Sequence, residues 1–227
     1  MKPVSTPVGT TKLAAYPATL VRELDDTHRA AALSHFLALE ADDRHLRFGS
    51  PTSDAIIERY VANLNFSRDA LFGVFNDALD LVGIAHLAYV PSANDGTRSA
   101  EFGVSVLHDD RHRGLGAALL ARAAVHARNT HIDTLFVHCL AKNKAMMHLA
   151  QKLGMRVEFA YGDADAYLIL PPANAQSILH EASQEHMADL DYALKANLKQ
   201  SKQIWRWFYG MQSQPEKMPM YVWALGA

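Results

Sequence analysis

Cysteine is almost missing from this chain: Cys139 stands alone among 227 residues. One thiol can neither close an internal disulfide nor build a cysteine-based metal cluster, so nothing argues for an oxidising compartment. Long apolar runs are missing as well. None approaches the roughly 20 residues that a membrane-spanning helix requires, and the N-terminus lacks the charged-then-apolar form of a signal peptide. The expectation is a cytoplasmic protein with no membrane partner. A third absence is excess charge. With 22 Lys and Arg against 24 Asp and Glu, the formal net charge is −2, which gives no overall attraction to nucleic acid. What is left is ordinary globular composition, 49% hydrophobic and 20% charged, enough for one domain with a sizeable core and an appendage.

What is present is organised around Arg111-His112-Arg113-Gly114-Leu115-Gly116. This hexapeptide follows an apolar run of strand character at 100–107 and opens an alanine- and leucine-rich helical pattern over 117–128. Its two glycines let a ligand approach the main chain closely. A helix starting here directs unpaired N–H groups and the positive end of its dipole into the turn, which suits an anion, most naturally a phosphate. Two common phosphate loops do not fit. A Rossmann fingerprint needs a third glycine where Leu119 stands, and a Walker loop needs Gly-Lys-Ser/Thr at its end.

The rest of the chain reads as alternating short strands and helices. Residues 1–18, with Pro3, Pro7 and Pro17, keep no period and read as an arm. A strand is expected at 19–24, a helix at 28–39 behind Asp25, Asp26 and Thr27, and a basic, aromatic turn at 43–48 before Pro51. A second helix over 53–64 places Ile56, Ile57, Tyr60, Val61 and Leu64 on its buried side. Strands follow at 71–75 and 79–90, then a loop at 91–97. Past the hexapeptide and its helix come a strand at 134–140, a helix at 143–153 stopped by Gly154, and short strands at 157–159 and 166–170. Pro171 and Pro172 mark a break before an extension, 173–227, in which Leu179, Met187, Leu190, Leu194 and Leu198 recur at helical spacing. Aromatic-rich and apolar runs at 204–209 and 218–223 complete it. Packing on its own domain is the simplest reading of this extension; a homodimer contact and a substrate cap are the alternatives. Acids among the lysines of its polar face argue against a membrane-surface helix.

Placed between a strand and a helix, the hexapeptide resembles the Gln/Arg-x-x-Gly-x-Gly/Ala loop of the GNAT superfamily, the acyl-CoA-dependent N-acyltransferases, through Arg111, Gly114 and Gly116. A second match runs from Asn143 to Met155, similar to the family's Asn-x-x-Ala/Met-x-x-Leu-Tyr-x-Lys-x-Gly-Phe helix. The order of elements over 19–172 resembles the same fold. The resemblance implies an α/β (α+β) domain with a mixed, mostly antiparallel central sheet flanked by helices, to which 173–227 adds a C-terminal helical extension. It also implies acetyl-CoA as acyl donor, an amine as acceptor, direct attack in a ternary complex, and no metal.

Residue roles follow from the same resemblance. Coenzyme binding falls to Arg111, His112, Arg113, Gly114, Leu115 and Gly116, to Asn143 and Met146, and to backbone N–H groups of Val104 and Val106, where the family's strand splays from its neighbour. These last two are also the donors awaiting the charge that develops on the thioester oxygen. Attack needs a neutral amine, and removing the proton of a lysine-like ammonium at pH 7 costs about 4.6 kcal/mol. In Ala100-Glu101-Phe102-Gly103-Val104, Glu101 looks like the general base of a branch that includes protein-lysine acetyltransferases, and Arg47-Phe48 resembles a pair found after that branch's first helix. Ala150 stands where the commoner scheme has a tyrosine to protonate the thiolate, which leaves water, His148 or Tyr167 as proton sources. Plainer readings stand beside these: a solvated strand carboxylate at Glu101, a helix cap at Asn143, a solvated basic turn at Arg111. His86 and His138 are placed to line an acceptor cleft or to sit as ordinary core or surface histidines. His108 and His112 lack the His-Glu-x-x-His form of a zinc site, and Cys139 has no activating partner. Fold does not decide function, so a non-catalytic acyl-CoA-binding module and an assembly protein built on the tail compete with the enzyme.

Overall fold

The computed structural model describes residues 19–91 and 96–212, with 203–212 described by backbone alone. The arm at 1–18, the run at 218–223, part of the loop at 91–97 and the aromatic side chains at 204–209 therefore lie outside the described residues. In chain order the elements are β1 (Arg22–Leu24), a short 3-10 turn, α1 (Arg29–Leu37), α2 (Ala41–Phe48), α3 (Asp54–Ala62), β2 (Ala70–Phe75), β3 (Leu81–Val90) and β4 (Ser99–Val106). A second 3-10 turn leads to α4 (Leu115–Asn129), β5 (Thr134–Leu140), α5 (Lys144–Lys152), β6 (Arg156–Ala160), β7 (Asp163–Ile169) and α6 (Ala175–Gln212). Among the described residues no helix is long and apolar enough to cross a membrane.

Seven strands form one sheet in the order β1-β2-β3-β4-β5-β7-β6. Every pairing is antiparallel except β4 with β5. That parallel pair is held over only three positions, Ser99 to Glu101 against Thr134 to Phe136. Beyond Glu101, β4 stays bonded to β3 through Val106, while its other edge is open. The sheet is thus split on the β5 side, and the strand that carries the split runs straight into the glycine loop.

Alternation along the strands divides the core in two. Ala100 and Phe102 pack with Ala85, Leu87, Leu135 and Val137 against Leu119, Leu120 and Ala123 of α4 and Met147 and Ala150 of α5. The other face takes Phe36 of α1 with Ile57 and Val61 of α3 over Leu71 and Ile84. Glu101, Gly103 and Ser105 point to this second face, the one covered by α1, α2 and α3.

Two sequence expectations change, and the extension gains detail. Residues 43–48 are a helix and not a turn. Nothing of α2 is fully buried, so it shows no apolar period; it is fixed by Arg44, whose guanidinium donates to the Leu37 and Leu39 carbonyls at the end of α1 and meets Asp54 at the start of α3. Ile56 is 44% exposed, because the buried side of α3 is carried by Ile57, Val61 and Leu64. Over 175–212 the extension is a single helix, and it lies against α4 and β1 through polar and small residues, with Tyr192 packed on the core. Ser177 and Ala188 are buried there, Glu181 and Glu185 pair with Arg122, and Asp189 with Arg22. Leu179, Met187, Leu190, Leu194 and Leu198 face outward.

Candidate active site

The chain leaves β4 through the turn at His108–Asp110 and reverses at His112 and Gly114, whose φ angles are 62° and 80°. Gly114 caps α4 from this left-handed conformation, where a side chain would be strained. The first helical bond runs from Ala118 N–H to the Gly114 carbonyl at 3.0 Å. The N–H groups of Leu115, Gly116 and Ala117 precede it and have no acceptor among the described residues, as the first turn of a helix requires. A Cβ at Gly116 would meet Leu149 only at an ordinary 3.8 Å, so no protein neighbour demands the glycine. Together these features make a cradle for an anion. Arg113 is exposed and bonded to Asp110 at 2.6 Å. Arg111 spends its guanidinium elsewhere: Nε donates to the Val106 carbonyl at 3.2 Å and Nη2 meets Asp43 of α2 at 2.5 Å. It ties the loop across the split to α2 and is not presented as a free cation.

The register of β4 shows which backbone groups the split exposes. Leu107 N–H donates to the Val82 carbonyl on the β3 side at 2.9 Å. Because successive N–H groups alternate sides, those of Ser105 and Gly103 also face β3, while those of Phe102, Val104 and Val106 face the edge that β5 has left. Val104 and Val106 therefore offer two donors along the open edge, and Arg111 satisfies the Val106 carbonyl on that same edge. Glu101 sits at the last paired position with its carboxylate exposed. Phe136 is its neighbour on β5, and Tyr167 on β7 stacks on Phe136 with centroids 6.4 Å apart. His138 lies on the same face, bonded to Asp165 at 2.7 Å, and that bond raises its pKa above the usual imidazole value.

Above β3 and β4 the helices supply a connected polar row. Arg47 of α2 lies flat on Gly103: a Cβ there would be 2.9 Å from the guanidinium carbon. Its Nη2 donates to Tyr60 Oη at 3.2 Å; Tyr60 Oη is 3.0 Å from His86 Nδ1; His86 Nε2 is 3.2 Å from Asp69 Oδ2. Burial alone would raise the Asp69 pKa, but bonds from Arg68 and His86 outweigh it and hold the carboxyl below its usual range. Asp69 is thus an acceptor, His86 donates to it through Nε2, and Nδ1 is left to accept from the tyrosine. Burial, with the Arg47 charge second, pushes His86 down and keeps it neutral. A cavity of about 350 Å³ opens beside Tyr60, His86 and Asp69. Farther along β4, Ser105 Oγ is 2.8 Å from Nε2 of His35, whose Nδ1 is 2.8 Å from the Leu81 carbonyl. Burial pushes that imidazole down to about 4. Tyr60 and Asp69 carried no sequence signal for this row, and Arg47 only the Arg-Phe pair.

On α5, Asn143 is an N-cap whose side-chain oxygen accepts from Met146 N–H at 3.0 Å. Its amide N–H₂ group has no bond among the described residues. The Met146 side chain is buried in the core, as is Ala150, so no hydroxyl lies where a helix tyrosine would be. His148 is exposed. Cys139 is buried and its thiol is pushed up to about 11 by that burial, as suits a core residue. Among the described residues the one group with metal-ligand spacing is Glu23, His126 and Glu181. Its acidic oxygens are taken by Arg122, at 3.5 Å from Glu23 and 2.7 Å from Glu181, and by His126.

Comparison with known proteins agrees with this geometry. The acetyltransferase (GNAT) family profile matches residues 33–155, more than half of the chain. Among solved structures, the GNAT domain of S. lividans PAT is similar with a TM-score of 0.56 and 19% identity, covering 66% of this chain and 89% of that one. A ribosomal-protein-alanine N-acetyltransferase from Brucella melitensis gives 0.52 and 19%, covering 66% and 99%. The ribosomal alpha-N-protein acetyltransferase RimL, in complex with coenzyme A, gives 0.50 and 16%, covering 67% and 96%. No curated protein matches the sequence. These solved structures share the fold, the family match spans the split strand, the glycine loop and the Asn143 helix, and the chain belongs to the acetyltransferase (GNAT) family.

Proposed function

We propose that this enzyme transfers an acetyl group from acetyl-CoA to a primary amine by direct attack in a ternary complex, with Glu101 as the general base. The observation that carries the reading is the split edge of β4. At its closed end stands Glu101, along it lie the N–H groups of Val104 and Val106, and at its mouth lies the helix start of Leu115 and Gly116. RimL, which shares the fold, is in complex with coenzyme A. In this chain the free N–H groups at Leu115 and Gly116 would hold the pyrophosphate, and the unshielded side of Gly116 leaves room for it. Bound acetyl-CoA supplies an activated acyl group.

The chain's own residues supply the rest. Glu101 takes the ammonium proton, directly or through water, against the cost of about 4.6 kcal/mol at pH 7. Val104 or Val106 N–H holds the oxyanion as charge develops on it. With Ala150 in the tyrosine position the thiolate departs without a helix acid, and a thiol pKa near 8.5 makes it a fair leaving group unaided. Thiol release across a panel of amines tests the activity. Glu101→Gln should lower kcat by about 10²- to 10⁴-fold while acetyl-CoA affinity by calorimetry stays the same. Turnover unchanged by that substitution from pH 6 to 9 would remove Glu101 as the base.

A further inference from the structure

Three arginines here carry a buried Nε with no hydrogen-bond partner among the described residues: Arg22, Arg122 and Arg47. Arg22 nevertheless has an acid at hand, its Nε in an ion pair 3.0 Å from Asp189 Oδ1 without hydrogen-bond alignment, and Arg122 contacts Glu181 and Glu185. Arg47 has no acidic partner among the described residues. Its one hydrogen bond there is to the neutral Tyr60 hydroxyl, and its plane is enclosed by the rings of Phe48, Phe36 and Tyr60 at 5.2, 5.8 and 5.8 Å. Aromatic faces attract a cation but accept few N–H bonds, so among the described residues most of this guanidinium's donors have no protein acceptor, the buried Nε among them. Its position is built: Gly103 leaves the space that a Cβ would take, and α2 delivers the side chain onto β4.

Glu101 is two residues from Gly103 and points to the same face of β4. That spacing is about 7 Å along a strand. One strand face thus presents a carboxylate and, within roughly that distance, an unpaired guanidinium. This is the complement of a zwitterion.

Resting on the proposed acetyl transfer at Glu101, we infer that the acceptor is a small amino carboxylate, its amine directed to Glu101 and its carboxylate held by Arg47. Beyond Tyr60 and His86 the polar row ends on a cavity where Ile56 and Leu64 give apolar wall and Arg59 is a further cation without an acidic partner among the described residues. A fork of N–H donors that ends on a carboxylate binds in two parallel bonds, which makes Arg47 a specificity residue and lysine an inferior substitute.

The test uses 2-, 3- and 4-amino carboxylic acids and their carboxamides, each at saturating acetyl-CoA, with calorimetry of the acids against coenzyme A-loaded protein alongside. The expected result is a preference for at least one acid over its amide of about tenfold to a hundredfold in kcat/KM. Arg47→Gln should abolish it mainly through KM, and Arg47→Lys should restore part. Gly103→Ala, which displaces the guanidinium without removing its charge, should weaken the preference in a protein of unchanged circular dichroism. Amides accepted as well as acids, binding of the acids that survives Arg47→Gln, or no acid bound at all would each overturn the assignment. Acids that bind in an Arg47-dependent way while no amine releases thiol would instead uphold the carboxylate site at Arg47 and reject the proposed transfer.

Discussion

Arg122 and Arg47 occupy opposite faces of one sheet and look alike locally. Each lies over aromatic carbon, at 4.8 Å from Phe72 and 5.2 Å from Phe48, and each buries an Nε without an acceptor among the described residues. The difference is in their counter-charges. Arg122 is 2% exposed and sits among Glu23, Glu181 and Glu185, with His126 and Asn129 completing the bonds of Glu181. Arg47 meets only a tyrosine hydroxyl and rings. A buried ion cluster with its partners present holds α6 to α4 and β1; a cation without them is held in place by packing and is available to something else. The first arrangement is architecture, and the second is a site.

Removing each arginine breaks the comparison most directly. Arg122→Ala leaves three partly exposed carboxylates without their guanidinium, although His126 and Asn129 still hold Glu181, and should cost about 1–3 kcal/mol. Urea unfolding should show that loss. Arg47→Gln removes a charge that no described acid compensates, so its stability should stay within about 1 kcal/mol of wild type while acceptor kinetics change. Equal losses from both substitutions would make Arg47 a structural residue like its counterpart.

His35 sharpens the contrast through pH. Both ring nitrogens are satisfied, by the Leu81 carbonyl and Ser105, and burial holds the folded pKa at about 4 against about 6.5 in an unfolded chain. Between those values the unfolded state takes up a proton that the folded state refuses. Stability is therefore complete above pH 6.5 and falls as pH drops toward 4, by up to about 3 kcal/mol. Unfolding midpoints at pH 7, 5.5 and 4.5 measure this slope. His35→Gln should flatten it, and an unchanged slope would mean that other groups produce it.

The same contrast explains what the sequence could reveal. Strand 134–140, the glycine loop with its helix and the Asn143 helix were legible because each couples a local backbone demand to an apolar period. The helix α2 was not, because it is fixed by long-range bonds of Arg44 to α1 and α3 and has no buried face. The leucine spacing of α6 announced a helix but not its packing face, which is built from Ser177, Glu181, Glu185 and Ala188. Periodicity records apolar burial and is blind to ion pairing. Glu101 and the loop stand out in the sequence because the family resemblance rests on short contiguous motifs, whereas the row from Arg47 to Asp69 joins residues from α2, α3, β3 and the approach to β2 that only the fold brings together.

Asn143 poses the architecture-or-site question within one side chain, and it has the smallest expected effect. Its oxygen caps α5 by accepting from Met146 N–H, while its amide donor is unused among the described residues. Aspartate caps a helix as well as asparagine does and suits the positive end of the dipole, but has nothing to donate. Asn143→Asp should therefore keep stability within about 0.5 kcal/mol, whereas Asn143→Ala should lose about 1 kcal/mol. If the amide serves acetyl-CoA, both should weaken its binding by about fivefold, the worth of one hydrogen bond. The aspartate should be the weaker of the two, since it adds a negative charge beside an anionic ligand. Calorimetry with acetyl-CoA decides: affinity retained in the aspartate variant would assign the whole side chain to the cap, and leave coenzyme recognition to the open edge of β4 and the start of α4.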